Sequence, residues 1–521
     1  MLIPSTKYLL RPKVKTIIIS SRISSFSSTA TTKNTGLKYF PIIGLEIHAQ
    51  LNCKQKLFSA SNAKWDQKEN TQISFFDLAL PGSLPVLNPE ALSTAARAVL
   101  SLNCTLSKVS KFVRKHYFYP DQPSGYQITQ SEHPIGKNGY VELLVEDGIS
   151  ESKTIEISQI QLEQDTAKTI YDAIPGYGLI DFNRAGVGLI EIVTRPQIRS
   201  AQEAEIFLKK LSQILQISGA SKALMEEGSL RCDVNISLSH MDENNSFIFG
   251  TRVEIKNLNS LKSVTGAIEA EIQRQTKCLM KNEQILPETR TFNPIDKTTS
   301  RSRNKESAPD YRFMPENDVP VVIIDEKWIQ AVKNTIPELP DSIRSRLKSV
   351  GLSTEEVGVL LKYPESVKFF DKTIALGSDP HKAFSWISRD IFGIFNYHGK
   401  KFSSEMNITP ATLNELISAV NESKLTAKMA KKILISKFEG DERRVMEIAK
   451  ANNWVVVENV DDSLVDLCKT ILESHAKEVQ MYNEKGNKRI MGFFVSQGIE
   501  KSNGTAKPQN LAKIFAQLLN K

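Results

Sequence analysis

Ile42-Ile43-Gly44-Leu45-Glu46-Ile47-His48 (residues 42–48) and Val187-Gly188-Leu189-Ile190-Glu191-Ile192-Val193 (residues 187–193) share one pattern: branched apolar residues with a single carboxylate set among them. Runs of this density read as buried strand. A carboxylate between branched aliphatics is expensive to bury unless it is paired or binds a cation. The pattern recurs. Glu254 lies in Arg252-Val253-Glu254-Ile255, Glu163 and Asp165 follow Ile160-Gln161-Leu162, and Asp233 and Asn235 lie within residues 230–237.

Residues two apart on a strand share a face. Glu46 and His48 therefore point the same way, as do Glu163 and Asp165, and Asp233 and Asn235. Any one of these acids is explained equally well by an ion pair to a neighbouring strand. Five such runs together point to an oxygen-rich site for a divalent cation, and a set with few nitrogens and no thiolate suits Mg²⁺ or Mn²⁺ better than zinc. Magnesium commonly accompanies phosphate chemistry.

Outward from these strands the texture is α+β as far as about Thr335. A helix is expected from Asn88-Pro89, where Asn caps and Pro occupies the first turn, with Leu92, Ala95 and Val99 as its apolar stripe. Ser200 and Glu203 have capping-box spacing ahead of Phe207, Leu211, Ile214 and Leu215. A third helix follows Asn259-Ser260, with Leu261, Val264, Ile268 and Ile272 on one face. The break at Pro337-Glu338-Leu339-Pro340 ends this segment; beyond it the chain reads as helical, with a second change near Ile408-Thr409-Pro410. A length of 521 residues suits roughly three domains.

Residues 1–45 contain no acid and seven basic residues: Lys7, Arg11, Lys13, Lys15, Arg22, Lys33 and Lys38. Removing these from the 67 Lys and Arg leaves 60 against 59 acids, so the body is nearly neutral. Any nucleic-acid affinity must come from local patches. The Ser/Thr-rich, acid-free start has the composition of a mitochondrial transit peptide, which sets the expected destination as the matrix. Five cysteines without a CxxC pair argue against a disulfide framework or structural zinc. No stretch of about 18 apolar residues occurs, so no membrane insertion is expected.

There is no phosphate-binding P-loop, no protein-kinase signature and no nucleophilic triad. Residues 485–521 carry seven basic residues and one acid, with Phe493, Phe494 and Phe515 interspersed; a solvated face and a nucleic-acid contact both fit. Composition and spacing alone stop at a metal-dependent protein, with phosphoryl transfer or nucleic-acid binding as open readings.

Longer strings go further. Residues 44–51 (Gly-Leu-Glu-Ile-His-Ala-Gln-Leu) and 80–88 (Leu-Pro-Gly-Ser-Leu-Pro-Val-Leu-Asn) resemble the B subunit of the tRNA-dependent amidotransferases. So do Tyr117–Asp121 with Gly125–Ile128, Met225–Asp233, residues 250–260 (Gly-Thr-Arg-Val-Glu-Ile-Lys-Asn-Leu-Asn-Ser), Asp310–Phe313 and Met491–Val495. The resemblance covers nearly the whole chain after the leader.

It implies an α+β fold: a cradle-shaped catalytic domain of mixed sheet and helices, then an α-helical domain and a small helical tail domain. The corresponding divisions are a leader at 1–36, the catalytic domain at 37–335, the helical domain at 336–407 and a tRNA-binding tail at 408–521. It implies ATP and Mg²⁺, without zinc, for phosphorylation of the γ-carboxylate of glutamate on misacylated tRNA(Gln), followed by amidation. The partners implied are an amidase subunit, which supplies ammonia, and a small third subunit. Glu46, Glu191 and Glu254 match catalytic positions. Glu46, His48, Glu163, Gln164, Glu191 and Glu254 form the implied metal set, and Arg231, Lys256 and Arg312 the implied ATP-binding set. The family has Glu where this chain has Gln164, and Lys where it has Ser124. Lys115, Tyr117 and Tyr119 remain open between packing and substrate contact. A non-catalytic tRNA-binding assembly protein and a metal-dependent nuclease are the alternatives, and ATP dependence separates the latter.

Overall fold

The computed structural model describes residues 30–31, 38–64, 66–174, 177–241, 247–303, 310–400, 402, 407–456, 462–485, 488–502 and 506–519. The expected leader lies outside the described residues, apart from Ala30–Thr31, which pairs with Lys38–Tyr39.

The fold is α+β, a mixed sheet with helices followed by a helical C-terminal region. The main path of the sheet comprises β1 (Lys38–Gln50), β2 (Thr105–Leu106), β3 (Gly136–Leu143), β4 (Lys153–Gln164), β5 (Gly188–Thr194), β6 (Leu230–Met241), β7 (Val253–Leu258), β8 (Thr289–Asn293) and β9 (Thr298–Arg303). Their order is β9-β8-β7-β6-β1-β5-β4-β3-β2. β7 and β8 run parallel, whereas β3–β4, β6–β7 and β8–β9 are antiparallel. β1 is central, and its alternation is plain: Ile43, Leu45, Ile47 and Ala49 are buried, while Glu46, His48 and Gln50 on the other face are only half-buried. The side-chain period of two thus separates a core face from a polar face on one strand.

Helix α1 (Pro89–Ser101) starts where its cap was expected, with the Asn88 side chain accepting from the Glu90 amide. Its buried stripe is Ala91, Ala95, Ala98 and Val99, and Leu92 is only half-buried. In α2 (Ala201–Ile217) Ser200 accepts from the Glu203 amide at 3.1 Å, but Glu203 reaches back to the amide of Arg199, not of Ser200. Helix α3 (Leu261–Met280) is capped by Ser260 and buries Val264, Ala267 and Ile268. Its second half departs from the apolar stripe expected to continue at Ile272. Glu271 and Gln275 are buried instead, and Glu271 accepts from Arg274, Gln275 and Thr299. The acid is accommodated because three donors satisfy it.

The helical region has two cores. One is built from Ile343, Leu347, Phe370, Ile387, Ile391, Leu413, Leu416, Ile433 and Ile448 among others, and the second from Leu464, Cys468, Ile471, Phe494, Leu511 and Phe515. The division expected at 407/408 is therefore corrected. Pro410–Asn421 and Ala427–Phe438 pack into the same core as the helices before them, and the second core starts with Asp462–Ser474. The Ile408-Thr409-Pro410 signal marks only a helix start, with Thr409 capping and Pro410 in the first turn. Among the described residues no helix is long and apolar enough to cross a membrane.

Asp147, in the turn Val145–Asp147, meets Lys210 of α2 at 2.9 Å and Arg344 of the helix Pro340–Ser349 at 2.7 Å. Burial pushes the Asp147 carboxyl up, but the Leu144 amide, Lys210 and Arg344 outweigh it and hold it below the usual carboxylate range. A depressed carboxyl stabilises the fold above its unfolded pKa, about 3.9, and the contribution is lost as pH falls through the lower folded value. Asp147→Asn leaves Lys210 and Arg344 with Asp341 as their remaining carboxylate and is expected to cost about 1–2 kcal/mol at pH 7. Urea unfolding should show the gap to wild type narrowing below about pH 4; a gap independent of pH would contradict the assignment.

Candidate metal and phosphate site

The polar faces of these strands carry the candidate site. On β1, Glu46 and His48 are two apart and share a face. Carboxylate or imidazole atoms of Glu46, His48 and Glu191 all lie within 4.8 Å of one another. His48 Nε2 is 3.4 Å from Glu163 Oε1 and 3.8 Å from Glu191 Oε2. Gln161, two before Glu163 on β4, donates to Glu191 Oε1 at 3.1 Å. Thr129, on the strand Tyr126–Thr129, donates to Glu163 Oε2 at 3.0 Å. Burial alone would raise the Glu163 carboxyl; His48, Lys115 and Thr129 outweigh it and hold the group ionised, below its ordinary range.

A second constellation occupies β6, β7 and β8. Glu254 Oε1 is 3.2 Å from the Lys256 ammonium, and Oε2 accepts from the Thr289 hydroxyl at 2.9 Å. Lys256 also lies 3.6 Å from Asp233, whose other oxygen accepts from the Asn257 amide. The register explains the grouping: Asn235 stands opposite Glu254 across β6–β7, and Thr289 opposite Glu254 across β7–β8. Burial would lower the Lys256 ammonium, but Glu254, Asp233 and Glu46 reverse that and keep it firmly charged. Arg231 is on the Asp233 side of β6 by the same alternation and is half-buried. Arg312 lies in the left-handed region at φ 45°, exposed, with its carbonyl 2.9 Å from His116 Nδ1.

Gln164 requires a correction. As the strand neighbour of Glu163 it points to the opposite face, where its Oε1 accepts from the Ile128 amide at 3.1 Å. There it borders a cavity of about 230 Å³ with Asp77, Gln122, Ser124 and Tyr126. It is thus not grouped with the metal set. Asp165, expected on the Glu163 face, lies beyond the strand end and meets Arg184 at 3.5 Å. Three participants were not foreseen: Gln161, Thr129 and Thr289. Gln161 was legible from its spacing to Glu163. The two threonines come from strands whose pairing no local pattern announces.

Two carboxylates and an imidazole at this separation fit an octahedral, oxygen-preferring divalent cation, with room for water or phosphate oxygens as further ligands. Glu191→Gln is expected to weaken Mn²⁺ binding about tenfold or more, read by electron paramagnetic resonance, whereas Gln164→Ala leaves it unchanged. The reverse ranking would place the ion on the other side of β4.

Comparison with known proteins agrees over almost the full length. A family model described as the GatB/GatE catalytic domain matches residues 41–330, and one described as the GatB domain matches residues 368–519. The B subunit of the aspartyl/glutamyl-tRNA(Asn/Gln) amidotransferase of Geobacillus thermodenitrificans is 38% identical over 93% of this chain and all of its own length. The B subunits of the same description from Halalkalibacterium halodurans, 38% identical over 93% of this chain and all of its own length, and Brevibacillus brevis, 36% identical over 93% and 99%, are similar to it in the same way.

Proposed function

The chain belongs to the family of tRNA-dependent amidotransferase B subunits, and from that premise we propose that it activates the glutamyl group of Glu-tRNA(Gln) with ATP for conversion to Gln-tRNA(Gln), in the mitochondrial matrix. The enzyme class is a glutamine-hydrolysing carbon–nitrogen ligase. The observation that carries the reading is the Glu46–His48–Glu191 group, on a sheet face whose neighbouring strands bring Lys256 and further acids.

A carboxylate does not yield to ammonia directly, because the group expelled would be oxide. Transfer of the γ-phosphoryl group of ATP to a carboxylate oxygen releases ADP and converts that oxygen into part of a phosphate leaving group. Attack of ammonia on the acyl carbon then breaks the carbon–oxygen bond, releases phosphate and, after loss of a proton, leaves the amide. Glu46, His48 and Glu191 would hold Mg²⁺, which when bound offsets the charge of the triphosphate. Lys256, kept charged by three acids, adds a fixed positive charge on the face that Glu254 shares. Thr129 and Thr289 fix the carboxylates of Glu163 and Glu254, so little rearrangement is needed when the polyanion arrives.

The partners assigned to this chain are an amidase subunit, as the ammonia source, and a small third subunit; that its relatives are B subunits supports a multi-subunit enzyme. The tail, with its basic residues 485–521, is assigned a share of tRNA binding. The test is to co-purify the full complex and assay Glu-tRNA(Gln) with and without ATP, glutamine and ammonium. Conversion should need ATP, and either nitrogen source should suffice. Glu191→Gln should lower tRNA-dependent ATP hydrolysis by roughly 10²–10³. Ending the chain at Val456, which keeps the first helical core whole and removes the second, should weaken tRNA binding and flatten its salt dependence. Turnover of tRNA without ATP would sink the reading and favour a nuclease.

The matrix location rests on the acid-free, basic, Ser/Thr-rich residues 1–36. A chain lacking them should fail to enter isolated mitochondria; import at the full-length rate would count against a leader.

A further inference from the structure

Four carboxylates of the polar strand faces share one feature: a neutral donor of the protein takes one oxygen of each. Glu191 Oε1 accepts from the Gln161 amide at 3.1 Å, while its Oε2 faces His48 Nε2 at 3.8 Å. Glu163 Oε2 accepts from the Thr129 hydroxyl at 3.0 Å, while its Oε1 faces His48 Nε2 at 3.4 Å. Glu254 and Asp233 repeat the division. There the Thr289 hydroxyl and the Asn257 backbone amide hold one oxygen each, and the Lys256 ammonium lies toward the other. For Glu191 the division follows from strand order. β5 lies between β1 and β4, so the carboxylate turns one oxygen to each neighbour: Oε1 to Gln161 on β4 and Oε2 to His48 on β1.

Packing does not account for Gln161. The residue is only 8% exposed, and an apolar side chain would fill the place with no polar group to satisfy. Neutralising Glu191 is not its effect either. A lysine or arginine there would offset the negative charge and compete with a cation for it, whereas an amide N–H fixes the oxygen and leaves the charge in place. What the amide controls is direction. With Gln161 on Glu191 Oε1 and Thr129 on Glu163 Oε2, His48 is met by one oxygen of each acid.

One oxygen per carboxylate suits a small ion. Mg²⁺ demands near-octahedral geometry at about 2.0–2.1 Å and keeps several waters; Ca²⁺ takes six to eight oxygens at about 2.3–2.6 Å and often chelates a carboxylate through both. To chelate in that way Glu191 has to swing Oε1 round from β4. That strands the Gln161 amide, and a buried donor without its partner is unfavourable.

We propose that Gln161 is a positioning residue that sets which divalent ion the site accepts: by holding Oε1 of Glu191, as Thr129 holds Oε2 of Glu163, it favours Mg²⁺ or Mn²⁺ over Ca²⁺. This rests on the metal reading above and adds to it the group that decides ion size.

The test uses the full complex without nucleotide and follows free Mn²⁺ by electron paramagnetic resonance, with Mg²⁺ and Ca²⁺ as competitors. Wild type should release its Mn²⁺ at a lower concentration of Mg²⁺ than of Ca²⁺. Gln161→Leu, which keeps the bulk and removes the donor, should move the ratio of those two concentrations toward Ca²⁺ by roughly tenfold or more. An equal loss for all three ions, or an unchanged ratio, overturns the proposal and leaves Gln161 a packing residue. If Gln161→Leu does not assemble, Thr129→Val decides on the same ratio, since it removes the matching donor from Glu163. Failure of the metal reading itself looks different: wild type and Glu191→Gln would then hold Mn²⁺ equally weakly, which refutes that reading and the proposal together.

Discussion

The constraint on which the polar face depends is the cost of keeping carboxylates ionised against a packed sheet. Glu163 is almost fully enclosed, and it stays charged because an imidazole, a hydroxyl and a lysine surround it. Glu254 is held by Lys256 on one oxygen and Thr289 on the other. Remove the compensating groups, and burial would protonate the acids or open the sheet. The sheet therefore has to bring donors from several strands to each acid, and its register is what does so. A slip of one residue in β7 would turn Glu254 and Lys256 into the apolar layer and bring Ile255 out.

That requirement links fold to chemistry. A face rich in satisfied carboxylates beside a permanently charged lysine is suited to a divalent cation with phosphate oxygens. It is poorly suited to nucleophilic catalysis by cysteine. Cys232, directly beside Asp233, has its thiol pushed far up by burial and then by Asp233 and Glu46, so it does not ionise. The cost of assembling the charges is met during folding by buried aliphatics on the opposite face, such as Ile43, Leu45, Ile47 and Ile255. Preorganised charge of this kind is what electrostatic catalysis draws on.

The helical region is held together differently. Its cores are aliphatic and aromatic, with ring pairs such as Phe369–Phe402 and Phe395–Phe438 at 5.2–5.8 Å. Its few well-shielded ions, Arg344 with Asp147 above all, join it to the turn at Val145–Asp147. A paired charge at such a junction favours one arrangement because any other leaves an ion desolvated and alone.

By itself the sequence determined the strands that carry Glu46, Glu191 and Glu254, since an acid flanked by branched aliphatics has few places to be. Local rules also settled the helix starts at Asn88, Ser200 and Ser260, because a cap is satisfied within three or four residues. The family was legible because long strings of residues match it. Tertiary structure alone decided which acids meet. His48 joins Glu163 and Glu191 through pairing of strands more than a hundred residues apart in sequence, and Thr289 reaches Glu254 only because β8 runs parallel beside β7. It also separated Gln164 from Glu163, as adjacent residues on a strand must face opposite ways. Finally, it moved the last division of the chain from Pro410 to the region before Asp462. A proline at a helix start marks only a local turn, whereas a core boundary is set by which helices share buried surface.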